Sequence, residues 1–277
     1  MFKFKKRVSP VLRASHLSLR FLKVLNMRLH LSTWPDIEAY LQKSKTIVIP
    51  IGSTEQHGPN GLVGTDALCP EIIAEAAAKQ RTFLIGPTFS VGVAQHHLGF
   101  PGSMTLRPTT VIATMKDWTD SLTRHGFERI FWLNGHGGNT ATIQAAFAEI
   151  YAERSLRQAG HNENMDLRLK AVNWWELPGV MSVCTQQFPS GDGMHATASE
   201  VAVTYAAYPD QVRNVEMSPR IAPVGRFRDA DHYRKTFPDG RIGSDPSQAT
   251  PEKGQIIIDA AAKSLCHQLD LFEGETE

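Results

Sequence analysis

The segment Ile49-Pro50-Ile51-Gly52-Ser53-Thr54-Glu55-Gln56-His57-Gly58-Pro59, followed by Asp66, brings two carboxylates and an imidazole together just after an apolar run. A second cluster, Asn134-Gly135-His136-Gly137-Gly138-Asn139, follows another apolar run. Oxygen and imidazole donors without sulfur suit Zn, Mn or Fe(II), and composition alone does not choose among them. If the clusters meet in space, the chemistry they could do is metal-dependent hydrolysis.

Meeting in space is a matter of the elements that carry them. Thr46–Ile51 is a compact β-branched run, as expected for a strand buried on both faces. Further strands are predicted at Thr82–Ile85, Arg129–Leu133 and Leu169–Trp174. Between them lie helical stretches: Leu68–Lys79, Thr109–His125 and Thr140–Ala159. Thr33-Trp34-Pro35-Asp36 reads as a helix start, with Thr33 as N-cap and the helix running to about Gln42. Glu200–Tyr208 and Gly254–Leu271 complete the helices. Residues 210–253, rich in Pro, Gly, Arg and Asp, read as an irregular excursion packed on the body. Strands alternating with helices predict an α/β fold with a largely parallel sheet. In such sheets the site forms beyond the carboxyl ends of the strands, where both clusters fall.

The bulk properties narrow the function classes. Hydrophobic residues at 42% and charged residues at 21% suit a soluble globular chain of 277 residues. No apolar stretch is long enough to span a membrane. Cys69, Cys184 and Cys266 show no CxxC spacing, which argues against a thiolate zinc knuckle and a disulfide scaffold and favours a cytoplasmic setting. Residues 1–26 carry Lys3, Lys5, Lys6, Arg7, Arg13, Arg20 and Lys23 and no acid. Against a net charge of +1 the remainder is therefore mildly acidic, and no nucleic-acid partner is expected. The basic stretch 1–26 reads as a targeting segment, a flexible arm, or an extension upstream of a true start at Met27; the last is favoured. Residues 27–277 then form one domain.

The turn Gly135-His136-Gly137-Gly138-Asn139 has a rival reading as a phosphate or nucleotide cradle between strand and helix. It lacks both the Lys-Ser/Thr of a P-loop and GxGxxG spacing. No GxSxG elbow is present, which speaks against a serine hydrolase. Glu200 also fits the end of a capping box, Thr197-Ala198-Ser199-Glu200, and Asn139 fits a helix cap.

Taken in order, IPIGSTEQHGP, Gly64-Thr65-Asp66, Phe100–Leu106 (FPGSMTL), NGHGGN and His195–Glu200 (HATASE) resemble the creatininase (creatinine amidohydrolase) family, over about residues 31–267. The resemblance implies a three-layer α/β/α fold and a hydrolase of non-peptide or unusual amide C–N bonds using a metal-activated water. It implies one or two divalent metals per chain, a small-molecule amide substrate, and homo-oligomers, hexamers among them. By motif, Glu55, His57, Asp66 and His136 match the metal ligands, with Asp66 at the bridging position. His195 matches a proton-transfer position, and Glu200 an acidic position in reach of the metals, expected as a further metal ligand and as an alternative proton donor. His97, Trp174 and Trp175 fall where the family lines its substrate side; of the adjacent His96 and His97, one is expected to face the pocket. Creatininase itself has Tyr and Glu where Gly137 and Gly138 stand here. That makes creatinine less expected than a formamide, another cyclic amide, or a peptidase-like role in cofactor maturation.

Overall fold

The computed structural model describes residues 28–156 and 166–275. The readings of residues 1–26 lie outside these. Four parallel strands, β1 (Thr46–Ile51), β2 (Leu84–Ile85), β3 (Arg129–Asn134) and β4 (Arg168–Asn173), form one sheet in the order β2-β1-β3-β4. The helices are α1 (Trp34–Leu41), α2 (Thr65–Ala78), α3 (Pro108–Arg124), α4 (Thr140–Leu156), α5 (Val180–Gln187), α6 (Ala198–Ala207), α7 (Ala230–Thr236) and α8 (Pro251–Gly274). None of these is long and apolar enough to cross a membrane.

The strand period of two sorts side chains between two cores. Ile47, Ile49 and Ile51 of β1, with Ile130 and Trp132 of β3, pack against α1, α3 and α4. Val48, Phe131 and Leu133 point the other way, onto α2, α5, α6 and α8. The result is the expected three layers. Pro50 sits inside β1 although it has no N–H to donate. It is tolerated because β2 has already ended beside it, and its carbonyl accepts from the Phe89 N–H at 2.9 Å.

Most predicted elements are present with shifted ends. The helix start at Thr33 is a capping box closed by Asp36. The strand predicted from Thr82 is only Leu84–Ile85, and the last three positions of the helix predicted to Ala159 lie outside the described residues. Helices α5 and α7 were not expected. One shift matters for chemistry. Helix α2 begins at Thr65, three residues before the predicted Leu68, so Asp66 lies in its first turn and not in a loop.

That first turn docks on the strand ends by a specific device. Pro70 has no N–H to offer the Asp66 carbonyl four residues earlier. The carbonyl instead lies against Gly52, just past β1, and Gly135, just past β3. A Cβ at these positions would stand 2.1 Å and 1.9 Å from that oxygen. Glycine is required at both, and the close approach sets the Asp66 side chain between the two strand ends.

Candidate metal centre

The two sequence clusters meet. Asp66 turns one oxygen to each imidazole: Oδ1 lies 2.9 Å from His57 Nε2, and Oδ2 lies 2.8 Å from His136 Nδ1. Glu55, fully buried, lies 3.3 Å from His136 Nε2 through Oε2. Its Oε1 lies 3.0 Å from His97 Nε2 and 3.7 Å from His195 Nδ1. Glu200 Oε1 is 3.7 Å from His57 Nε2. One donor atom each from Glu55, His57 and Asp66 falls within a 4.8 Å cluster, as does one each from Glu55, His97 and His195. Glu55 is common to both groups.

Ring orientation follows from what the far nitrogens touch. A backbone carbonyl can only accept, so the nitrogen facing it carries the hydrogen. His57 Nδ1 faces the Glu55 carbonyl at 3.0 Å. His136 Nε2 faces that of Val93 at 3.0 Å, and His195 Nε2 that of Gln56 at 2.8 Å. Each ring thereby aims its other nitrogen at the carboxylates. A histidine that ligates a metal is oriented in this way.

The carboxylates fit the same purpose. Both Glu55 oxygens and Asp66 Oδ2 are buried without an aligned hydrogen bond, although imidazole nitrogens stand close by. An orphaned buried carboxylate is costly. Donors around a tetrahedral ion at about 2.1 Å stand roughly 3.4 Å apart, close to the separations here. These residues fit a divalent metal.

Gln56, which lies between Glu55 and His57 and was passed over in the sequence, ties the cluster together. Its Oε1 accepts from the Gly58 N–H at 2.8 Å, which orients the amide. Its Nε2 then donates to the Gly240 carbonyl and to His97 Nδ1, both at 2.9 Å. The excursion after residue 210 is thereby tied to the site. Its Tyr233 packs edge-on to His97 with centroids 4.6 Å apart, and its Ile242 pairs with His195. Arg241, fully buried, fastens the excursion by donating to the carbonyls of Pro219, Arg220 and Ser244. No local pattern in the sequence marks Tyr233 or Phe227 for this place.

Asp66 tunes its neighbours. Burial works against charge on His57, but Asp66, Glu200 and Glu55 outweigh it and hold the imidazole at about 10. Glu55 and Asp66 likewise overcome burial at His136 and hold it at about 9. In turn these two imidazoles keep Asp66 far below the usual carboxylate range despite its burial. Burial raises Glu55, and raises Glu200 to about 7 against the pull of His57. His195 is lowered well below an ordinary imidazole by burial and by the neighbouring His97 and His57.

Glu200 does hold the capping box: its Oε1 accepts from the Thr197 N–H at 2.5 Å, and Thr197 Oγ1 accepts from the Glu200 N–H at 3.2 Å. The capping position and the proximity to His57 coexist in one side chain. Ala196, in the left-handed region at φ 52°, turns the chain between His195 and the cap.

A cavity of about 420 Å³ opens on the cluster and is walled by His97, Trp174 and Trp175. His96 also lines it. The expectation that only one of the adjacent histidines would face inward assumed an extended chain, whereas Gln95–His97 is a 3₁₀ turn with the two rings 4.2 Å apart. Asn139 reaches back to Val93 N and the Gly52 carbonyl, both at 2.9 Å. It fixes the Gly-rich turn, and the carboxylates beside that turn make it a poor phosphate cradle.

Comparison with known proteins identifies the family. A profile of the creatininase family, described as creatinine amidohydrolase, matches residues 30–269. The chain belongs to the creatininase family. It is a member of a family of metal-dependent amidohydrolases. Over 246 residues the chain is 28% identical to creatinine amidohydrolase of Pseudomonas putida, covering 84% of this chain and 92% of that one. Over 221 residues it is 31% identical to the mycofactocin precursor peptide peptidase of Mycolicibacterium smegmatis, covering 76% and 79%. A mutant creatininase of Zn-Zn type shares the fold at TM-score 0.78 and 22% identity, covering 90% of this chain and 99% of that one.

Proposed function

We propose that this creatininase-family enzyme hydrolyses the C–N bond of a small cyclic amide or formamide other than creatinine. The observation that carries the reading is the convergence of Glu55 and Asp66, with unpartnered oxygens, on imidazoles anchored through their far nitrogens. Glu55, His57, Asp66 and His136, with Glu200 beside them, would hold one or two divalent ions, Zn, Mn or Fe. A metal bound there supplies Lewis acidity, polarising the amide carbonyl and lowering the pKa of water.

The chain's own residues do the rest. His195 Nδ1 faces the cluster while Nε2 is held by Gln56, so one nitrogen is free to take a proton and return it. An amide nitrogen leaves poorly as an anion, and proton delivery to it contributes typically about 10²–10⁴-fold. Glu200, poised near neutrality, is the second candidate for this transfer. Trp174, Trp175 and His97 wall the substrate and exclude water.

The test is elemental analysis of protein purified without added metal, followed by a screen of formamides and cyclic amides. One to two ions per chain and turnover of a member of either class are expected. His195→Ala should slow catalysis while retaining metal; loss of metal in that variant would make His195 a ligand. A second reading, a peptidase-like role, is favoured by the identity to the mycofactocin precursor peptide peptidase. Cleavage of peptides but not of formamides or cyclic amides would select it.

A further inference from the structure

The creatininase-family reading leaves the substrate side open, and this inference rests on that reading. The cavity beside the cluster has a volume in the range that holds a drug-sized ligand. Its apolar wall consists of Trp174, Trp175, Met181, Met194, Phe227 and Ile242. Three of these six are aromatic. His96 stacks on Phe227 at 4.6 Å with 23° between planes, and Trp175 stands edge-on to Trp174 at 5.8 Å. Met181 and Met194, 52% and 77% exposed, stand where long thioether side chains can adapt to a varied outline.

The charge lining is one-sided. No lysine or arginine among the described residues lines the cavity. Asp66, Asp192 and Glu200 do, with the imidazoles of His96, His97, His136 and His195. Asp192 accepts from the Ser199 N–H at 2.8 Å and makes no ion pair with a lysine or arginine among the described residues. Arg241, next to Ile242 in the chain, spends its donors on Asp239 and backbone carbonyls. A carboxylate on the end of a substrate away from the metal centre would lose water and find no lysine or arginine to replace it.

We propose that the cavity selects amides bearing a flat, uncharged apolar or aromatic group and rejects those carrying a carboxylate at the end away from the scissile bond. The wall supplies area for stacking, and the lack of a lysine or arginine on it supplies discrimination. Creatininase-type hydrolysis of a neutral aryl formamide fits this lining; an anionic peptide terminus does not.

The test compares benzohydroxamic acid with its 4-carboxy derivative on the metal-loaded full chain, reading tryptophan fluorescence. The neutral compound is expected to bind at least about a hundredfold more tightly. Met181→Lys, at an exposed position, is expected to improve binding of the carboxylated compound at least about tenfold relative to the neutral one. Equal or tighter binding of the carboxylated compound by unmodified protein overturns the proposal. So does failure of both to bind in protein that carries its metal. Protein that takes up no metal overturns the hydrolase reading itself, and elemental analysis separates these failures.

Discussion

Asp66 Oδ2 stands 2.8 Å from His136 Nδ1, and the far nitrogen of that ring faces the Val93 carbonyl at 3.0 Å. The ring is held from behind by backbone and presented in front to a carboxylate that also meets His57. His136→Ala should therefore strip the centre. Metal content is expected to fall to near zero and activity by at least about a thousandfold. Elemental analysis and steady-state assays on the same preparation check both; full metal occupancy in this variant would remove His136 from the ligand set.

Glu200 carries two interactions that substitution can separate. Glu200→Gln keeps an oxygen for the Thr197 N–H but removes the charge beside His57. It should lower kcat at least about tenfold while changing stability by less than about 1 kcal/mol. Glu200→Ala loses the cap as well and should cost about 1–2 kcal/mol more. Urea denaturation and initial rates resolve the two. Equal kcat for glutamate and glutamine would leave Glu200 with the helix alone.

Gly137 and Gly138 differ in what a side chain would meet. A Cβ at Gly137 meets nothing within 4 Å, and the residue lines the cavity. Gly137→Tyr should fold normally and narrow the cavity, raising KM for bulky amides more than for small ones. A Cβ at Gly138 would stand 2.3 Å from His136 Nε2 and 2.9 Å from the Val93 carbonyl. Gly138→Ala should break that contact and weaken metal binding about 10–100-fold. Metal titration followed by calorimetry decides it, and unchanged affinity would show that the ring is not held from Val93.

The metal-free protein should lose stability as pH rises above neutrality. His57 at about 10 and His136 at about 9 both exceed the ordinary imidazole value of 6.5. Between these values the folded chain binds more protons than the unfolded chain. The contribution is therefore full below about pH 6.5 and is lost as pH climbs through 9 to 10. The buried thiols of Cys69 and Cys184, raised by burial, act with the same sign at the upper end. A metal would compete for the same nitrogens, so the loaded protein should decline less. Tm measured from about pH 7 to about pH 9.5, with and without chelator, tests this; a metal-free Tm that climbs over that interval contradicts it.

Local patterns revealed the scaffold. The run Thr46–Ile51 is β1 to the residue, and the Thr33–Asp36 cap is where the helix begins. The rule that sites form at strand ends puts Glu55, His57, Asp66 and His136 in one neighbourhood from sequence alone. What it missed depends on contacts distant in sequence. Gln56 draws its importance from Gly240, and Tyr233 from His97, partners that no window of neighbours contains. Helix α7 is short and polar, with only Tyr233 buried, so its period was invisible. The start of α2 was misplaced because Gly64 offers no side-chain cap to announce it.

The Asp66 carbonyl, freed by Pro70 and seated against Gly52 and Gly135, couples assembly to chemistry. The Asp66 carboxylate cannot be set between His57 and His136 until helix α2 has closed onto the ends of both strands. Nor can the strands shift apart without carrying it away from one imidazole or the other. A chain whose sheet is only partly formed therefore has no half-made centre to capture stray ions. The ability to hold a metal should arise late and all at once, as a report that the sheet and its first covering helix have joined.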